Sequence, residues 1–321
     1  MAEPLLAIRE LCVDYVTSPG TSVRALDRVS LDVMPGEILG IAGESGSGKS
    51  TLAQAVLRIL PAPAVITGGS VRFEGKDLLA LSDPELRALR WRRMAMVFQS
   101  AMDALNPVLT VGEQLLDTLA AHGAAPTRAA ARERAAHLLG LVGIPSDRLA
   151  SYPHQLSGGM RQRVGIALGL ALEPSLVILD EPTTALDVVV EREILHEVLE
   201  LRRKLGFAVL FITHDLTRML QLSDRVAVFY AARLAEVGPA AALRAGPRHP
   251  YTQALLNAFP SLHGDRTKLE SIPGAPPSLR SPPPGCRFQP RCSVAEDRCG
   301  AGAPPLVPLG PGAAAACFRV G

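Results

Sequence analysis

The sequence from 43 to 51 reads Gly43-Glu44-Ser45-Gly46-Ser47-Gly48-Lys49-Ser50-Thr51, and the apolar run Ile38-Leu39-Gly40-Ile41-Ala42 precedes it. A short apolar run of this kind is typical of a buried parallel strand, and a helical pattern follows from Ser50 to Leu60. A glycine-rich turn between a strand and a helix directs backbone N–H groups at one point, where the helix N-terminus adds partial positive charge. The spacing Gly-x4-Gly-Lys-Ser therefore predicts a phosphate-binding loop, in which Lys49 reaches the β- and γ-phosphates and the Ser50 hydroxyl holds Mg²⁺.

A flexible glycine loop without a ligand is the alternative interpretation of this segment. Two observations weigh against it. The chain contains only four lysines, and one of them stands at the position where a phosphate needs it. The loop also lies between a predicted strand and a predicted helix, which is the structural context that the motif requires.

A second motif is the apolar run Leu176-Val177-Ile178-Leu179, which ends in Asp180 and Glu181. Mg²⁺ prefers oxygen ligands and keeps several waters, so a carboxylate at the end of a strand suits a water-mediated contact from Asp180. Glu181 is then placed to orient or polarise an attacking water. Two acids that cap the next turn are the alternative, which the phosphate loop elsewhere in the chain makes less attractive.

A second glycine-rich stretch, Leu156-Ser157-Gly158-Gly159-Met160, precedes an apolar helical pattern. The Ser157 hydroxyl and the backbone N–H groups of Gly158 and Gly159 would form another anion site at a helix N-terminus. Read alone, the same residues form an ordinary helix-capping loop. Because one nucleotide has a single γ-phosphate, a second phosphate site makes sense only if it acts across a dimer interface.

The order of these motifs resembles the ATP-binding cassette (ABC) ATPases, although Met160 stands where that family usually has glutamine. The resemblance implies an α/β fold of the P-loop NTPase type, with an N-terminal antiparallel β subdomain and a helical subdomain inserted at about 104–159. It also implies ATP and Mg²⁺ as ligands. The nucleotide-binding set implied is Tyr15, Gly43, Ser45, Gly46, Gly48, Lys49, Ser50, Thr51, Ser157, Gly158, Gly159 and Asp187.

Four further residues take their roles from this resemblance. Gln99 is similar to the family glutamine that senses Mg²⁺ and the γ-phosphate, and Asp187 belongs to a segment that crosses to the partner subunit. His214 is similar to the histidine that contacts the γ-phosphate. Tyr15 is a candidate for stacking on adenine, although a strand tyrosine is often simply part of the core. Glu181, His214 and Gln99 are thus the implied catalytic set, and Ser50, Gln99 and Asp180 the implied Mg²⁺ ligands.

Other segments narrow the resemblance to the ATPase subunits of dipeptide, oligopeptide and nickel importers. They are 98–107, His249-Pro250-Tyr251-Thr252 and a cysteine-containing C-terminal extension. The implied division is an ATPase domain over 1–245 and an extension over 246–321. The implied partners are a second ATPase subunit, identical or related, two membrane permeases and an extracytoplasmic peptide-binding protein. The implied function is ATP hydrolysis that energises peptide import.

The extension contains Cys286, Cys292, Cys299 and Cys317, whereas Cys12 lies alone in a strand-like run. The spacing lacks the close Cys-x2–4-Cys pairs of zinc sites, and four thiolates match the ligand count of a [4Fe–4S] cluster. Some importer ATPases similar to this chain carry such a cluster. Zinc and free thiols remain the alternatives, and the simplest role of a metal here is to staple a proline-rich tail.

The composition limits the remaining function classes. The formal net charge is only +2, which does not favour a nucleic acid as partner. No apolar run reaches the roughly 18 residues that span a bilayer, and the first residues lack a signal-peptide pattern. We expect a peripheral protein on the cytoplasmic face of the membrane. Nickel or another solute stays open as cargo, as does a soluble ABC ATPase outside transport.

Overall fold

The computed structural model describes residues 3–18, 21–98, 104–183, 186–258 and 272–320. The chain divides into two compact units, one formed by Met1–Ala80 with Phe211–Gly321 and the other by Leu81–Leu210. The first unit therefore contains the phosphate loop and the C-terminal extension. The second contains the stretch predicted to be helical and the acidic end of the apolar run at 176–181.

Twelve strands are formed by the described residues. They are β1 (Leu6–Ser18), β2 (Thr21–Val33), β3 (Ile38–Ala42), β4 (Ala64–Phe73), β5 (Lys76–Asp77), β6 (Met94–Val97), β7 (Leu176–Asp180), β8 (Ala208–Ile212), β9 (Arg225–Tyr230), β10 (Arg233–Pro239), β11 (Val307–Gly310) and β12 (Ala313–Ala315).

Ten α-helices are also formed there. They are α1 (Lys49–Leu57), α2 (Asp83–Leu89), α3 (Val111–Ala121), α4 (Arg128–Leu141), α5 (Gly158–Leu170), α6 (Val188–Leu205), α7 (Leu216–Leu222), α8 (Ala240–Ala245), α9 (Pro250–Asn257) and α10 (Asp297–Ala301). Short 3-10 helices cover Ser146–Ala150, Pro153–Gln155, Gln289–Arg291 and Phe318–Val320.

The N-terminal part of the first unit is an antiparallel sheet in the order β2-β1-β4-β5, so the implied antiparallel subdomain is confirmed. Strand β1 pairs antiparallel with β2 and with β4. The sequence alone predicts a strand only over 71–74, but β4 begins seven residues earlier. Its first half was missed because Gly68 and Gly69 separate the short apolar run Ala64-Val65-Ile66 from the rest of the strand.

A mixed sheet in the same unit has the strand order β11-β12-β10-β9-β3. Strand β3 is buried at all five positions and runs parallel to β9. Helix α7 packs directly on β3: a Cβ added at Gly40 would lie 2.3 Å from Cγ of Met219, so this approach requires a glycine. The C-terminal extension adds β11 and β12 to the sheet through β10.

The second unit contains β6, β7 and the first part of β8 in adjacent positions, with β6 parallel to β7. Helices are present over 104–159, as predicted. Thr110 begins α3, where its hydroxyl accepts the Glu113 N–H at 3.2 Å and the Glu113 carboxylate accepts the Thr110 N–H at 2.7 Å. This reciprocal cap fixes the helix start. Helix α5 packs on β6 at Gly169, where a Cβ would come within 3.0 Å of Val97.

Candidate functional site

The phosphate loop lies between β3 and α1 in the first unit, as the sequence predicts. Gly43 begins it with φ +145°, and a Cβ there would lie 2.2 Å from the carbonyl oxygen of Phe229. Gly48 ends it with φ +105°, where a Cβ would lie 2.5 Å from the carbonyl oxygen of Ala25. Both positions combine a left-handed conformation with contact to backbone, so only glycine fits either of them.

The other loop residues are placed where a ligand can reach them. Ser45 and Gly46 are exposed, and no atom lies within 4 Å of a Cβ built at Gly46. Ser50 and Thr51 follow in the first turn of α1 and are partly exposed. An open loop that ends at a helix N-terminus is a suitable anion site.

Lys49 is the first residue of α1, but its side chain points back towards the start of the phosphate loop. The ammonium donates hydrogen bonds to the carbonyl oxygens of Gly43 at 2.7 Å and Glu44 at 3.0 Å, and the residue is 7% exposed. Lys49 thus holds the first turn of the loop from inside.

Two other predicted residues lie in the first unit. His214 is exposed just after β8, where Asp215 caps α7 by accepting the Arg218 N–H at 3.0 Å. Tyr15 is partly exposed on β1, with Val23 and Ala64 as its register partners. Partial exposure is compatible with both the stacking role and the core role, so the role of Tyr15 stays a prediction.

The acidic pair lies at the end of β7 in the second unit. Asp180 is the last residue of this buried strand and is 5% exposed. Glu181 follows with φ +46°, a left-handed conformation that is rare for a residue with a side chain. The chain therefore turns sharply at Glu181, which places two consecutive carboxylates at one strand end.

The second glycine-rich stretch forms the start of α5. The Ser157 hydroxyl caps this helix by accepting the Met160 N–H at 3.3 Å, and Gly158 is its first residue. A Cβ at Gly159 would lie 2.7 Å from Val190 in the first turn of α6. The N-termini of two helices therefore meet at this glycine.

Asp187 caps the second of these helices. Its carboxylate accepts the N–H groups of Val189 at 3.1 Å and Val190 at 3.0 Å. The next two residues, Val188 and Val189, are 66% and 68% exposed. An exposed apolar pair beside two helix N-termini is a feature of the second unit that sequence reasoning missed, although three consecutive valines after Asp187 are visible in the sequence.

Gln99, the remaining predicted Mg²⁺ and γ-phosphate residue, lies outside the described residues, as do Ala185 and the segment 99–103. The roles of Gln99 therefore stay predictions.

The four cysteines of the extension come together in the first unit. Cys286, Cys292, Cys299 and Cys317 all line one cavity, and Cys286 donates its N–H to the Cys299 carbonyl at 2.7 Å. Burial raises the pKa of the Cys286 and Cys292 thiols. Across the described part of the chain, no group of three or more His, Cys, Asp or Glu residues could hold a single metal ion. No metal-binding group among the described residues therefore supports the predicted [4Fe–4S] centre.

Two residues that sequence reasoning did not place at the loop, Arg291 and Tyr251, contact its residue Glu44. Glu44 receives a salt bridge from Arg291 of the extension and donates its N–H to the Tyr251 hydroxyl. Arg291 stands between two of the cysteines, and Tyr251 belongs to the His-Pro-Tyr-Thr segment. The sequence signal available for these two residues was their place in segments that the family resemblance had already singled out.

Comparisons with known proteins show the family to which this chain belongs. Residues 26–184 match the family described as ABC transporter, and residues 235–299 match the oligopeptide/dipeptide transporter C-terminal region. A probable peptide ABC transporter ATP-binding protein of Sinorhizobium fredii is 46% identical over 99% of this chain and 96% of its own length. A dipeptide transport ATP-binding protein of Bacillus subtilis is 47% identical over 90% and 87%.

A solved structure gives the same result for the fold. A dimeric ATP-binding cassette in a post-hydrolysis state, bound to ADP and Pi, superposes with a TM-score of 0.65 at 28% identity, covering 73% of this chain and 98% of that one. This likeness confirms the predicted α/β P-loop fold. Among the described residues, no helix combines the length and apolar character needed to cross a bilayer.

Proposed function

Since the chain belongs to the ABC transporter family of ATP-binding proteins, with the C-terminal region of its oligopeptide/dipeptide members, we propose that it hydrolyses ATP to energise peptide import. The observation that carries this proposal is the pairing of the two regions in one chain, at 26–184 and 235–299. Relatives similar over nearly the whole chain are named as peptide or dipeptide transport proteins.

The residues suit ATP hydrolysis. The loop from Gly43 to Thr51 would bind the phosphates, with Lys49 on the β- and γ-phosphates. Ser50 and Asp180 present the hydroxyl and carboxylate oxygens that Mg²⁺ prefers, and the ion would offset phosphate charge. Glu181 would orient the attacking water, while His214 and Gln99 would contact the γ-phosphate. Tyr15 would stack on adenine.

The second phosphate site supports a dimer. Ser157, Gly158 and Gly159 at the start of α5 would close over ATP bound to a second subunit, and Asp187 would lie at the same interface. The exposed valines at 188 and 189 support this, because apolar side chains next to polar contact groups are typical of an interface. The second subunit is identical or a related ATPase.

The remaining partners follow from the importer function. We propose two membrane permeases and an extracytoplasmic peptide-binding protein as partners, no nucleic acid, and a peripheral location on the cytoplasmic face of the membrane. The proposed division is an ATPase domain over 1–245, with its helical subdomain at about 104–159, and an importer-type extension over 246–321.

Reconstitution tests the transport function. The purified chain is combined in proteoliposomes with candidate permeases and a candidate peptide-binding protein, and ATP hydrolysis is measured with and without dipeptide and oligopeptide. We expect peptide to stimulate ATP turnover and to accumulate inside. The permeases without this chain are the control.

The alternatives give different results in the same experiment. Stimulation by nickel or another solute, with none by peptide, would keep the ATPase role and overturn the peptide cargo. ATP turnover that no permease changes, together with co-purified nucleic acid or ribosomes, would favour a soluble ABC ATPase outside transport.

The cofactor of the extension is a separate proposal, a [4Fe–4S] cluster held by Cys286, Cys292, Cys299 and Cys317. Thiolates that ligate such a cluster bind different iron atoms and need not meet at one point. The cavity that all four cysteines line supports this donor set. Protein purified without oxygen should contain about four iron atoms per chain. Stoichiometric zinc, or metal-free protein of full stability, would contradict the cluster.

A further inference from the structure

The C-terminal extension contacts the phosphate loop at Glu44, the residue that directly follows Gly43. The Arg291 guanidinium donates from Nη1 to Oε2 of Glu44 at 2.8 Å and from Nη2 to Oε1 at 3.1 Å. The Arg291 side chain is 6% exposed and that of Glu44 is 24% exposed. Two parallel charge-assisted hydrogen bonds in a shielded place fix both the distance and the orientation of the carboxylate.

The position of Arg291 is itself determined by its surroundings. Its Nε donates to the carbonyl oxygen of Pro273 at 2.8 Å, and Nη1 also donates to the Tyr230 hydroxyl at 3.1 Å. The guanidinium carbon lies 5.8 Å from the centre of the Tyr230 ring. Since both the extension and β9 hold the guanidinium, it presents a rigid fork to Glu44.

Tyr251 makes an independent second contact with the same residue. Its hydroxyl oxygen accepts the backbone N–H of Glu44 at 3.0 Å, and the side chain is fully buried. Burial raises the pKa of Tyr251, so the hydroxyl remains neutral. The ring packs 4.5 Å from that of Tyr230 and 5.3 Å from that of Phe288, centre to centre. This aromatic cluster leaves the hydroxyl little freedom to move.

Both contacts act on the residue that Lys49 also holds. The Glu44 carbonyl oxygen accepts from the Lys49 ammonium at 3.0 Å and from the Ser47 N–H at 3.2 Å. Side chain, N–H and carbonyl of one loop residue are therefore all engaged, the first two by groups outside the loop. A displacement of Glu44 would shift the lysine that meets the phosphates.

We propose that Arg291 and Tyr251 are positioning residues, through which the C-terminal extension sets the conformation of the phosphate loop and raises the affinity for ATP. This rests on ATP binding at the loop and goes beyond it, because it gives the extension a role in the nucleotide site. A loop held in its binding conformation loses less conformational freedom when ATP binds.

The test is a double-mutant cycle over Arg291→Gln, Glu44→Gln and the pair, with Kd for ATP and the melting temperature measured on each full-length variant. Each single variant should weaken ATP binding about tenfold or more, as for loss of a hydrogen bond to a charged group. The double variant should be no weaker than the worse single one, because both changes break one interaction.

Two further variants separate positioning from stability. Tyr251→Phe keeps the aromatic ring and removes only the hydroxyl that accepts the Glu44 N–H. This variant should therefore fold and still have a raised Kd for ATP. Arg298→Gln breaks an exposed pair with Glu296 in the same segment and is the matched control, with an unchanged Kd expected. Lower melting temperatures with a wild-type Kd in all folded variants would overturn the proposal. Failure of the wild-type chain to bind ATP would instead overturn the function of the loop.

Discussion

Replacement of Lys49 by alanine is expected to weaken ATP binding by about 100-fold or more, since it removes a buried charged hydrogen-bond donor from the phosphate site. The structure gives this variant a second effect. The Lys49 ammonium donates to the carbonyl oxygens of Gly43 and Glu44, so its loss also releases the first turn of the loop. We expect ATP hydrolysis to fall to background as a consequence.

Isothermal titration with ATP and Mg²⁺ measures the loss. Lys76→Ala is the matched control, because Lys76 is an exposed lysine on β5 of the same unit and should bind ATP normally. Circular dichroism shows whether each variant is folded. ATP affinity within threefold of wild type in folded Lys49→Ala would contradict the phosphate role of this lysine.

Replacement of Glu181 by glutamine is expected to separate ATP binding from hydrolysis. Glutamine has the same shape as glutamate, so it can occupy the strained turn after β7 without a new steric cost. It cannot accept a proton from the attacking water, and loss of a general base slows turnover by about 100-fold to 10,000-fold. ATP should therefore bind and stay, and the protein should accumulate as a closed, ATP-loaded dimer.

Size-exclusion chromatography with and without ATP detects that dimer, and phosphate release measures turnover. Glu173→Gln is a suitable control, because Glu173 is another glutamate of the second unit with positive φ, +51°, whose carboxylate pairs with Arg134 at the surface. It should hydrolyse ATP at the wild-type rate. Unchanged turnover in Glu181→Gln would exclude the water-orienting role.

Most of the regular elements could be predicted from the sequence because their signals are local. The sequence predicts a helix over 188–205 and a strand over 208–212, and these boundaries agree with α6 and β8 at both ends. In α6 the Asp187 cap and the glycine after the last turn mark the helix limits. In β8 a continuous apolar run between polar residues marks a buried strand. The first half of β4 was missed because its apolar run, Ala64-Val65-Ile66, is only three residues long and Gly68 and Gly69 follow closely.

Some residues of the candidate site could likewise be predicted from local spacing, and others could not. Gly43, Gly48 and Lys49 could be assigned from spacing, because a loop that bends around a phosphate needs glycine and a cation at fixed intervals. The contact between Gly159 and Val190 could not, since helix packing depends on residues that no short motif connects. Gln99 is beyond the described residues, so its assignment still rests on the sequence.

The extension was the part least accessible to sequence reasoning. Its proline-rich composition predicts a tail with little core, yet Phe288 is 3% exposed within an aromatic cluster and β12 pairs with β10. One aromatic partner of Phe288, Tyr230, comes from β9 outside the extension, and another, Tyr251, comes from α9 at the start of the extension. A segment can therefore be ordered by surfaces that its own composition does not reveal.

The sequence by itself determined the family and the glycine-rich loop between a strand and a helix, because both depend on residue types at short, fixed spacing. The roles of the loop and of the residues proposed for hydrolysis stay predictions of the same spacing. Only the tertiary structure decided that Arg291 and Tyr251 hold Glu44. Arg291 and Glu44 are separated by 247 residues, and a salt bridge over such a distance is set by how the strands and helices between them fold. The phosphate loop, near the start of the chain, is thus held in part by residues near the C-terminal end of the chain.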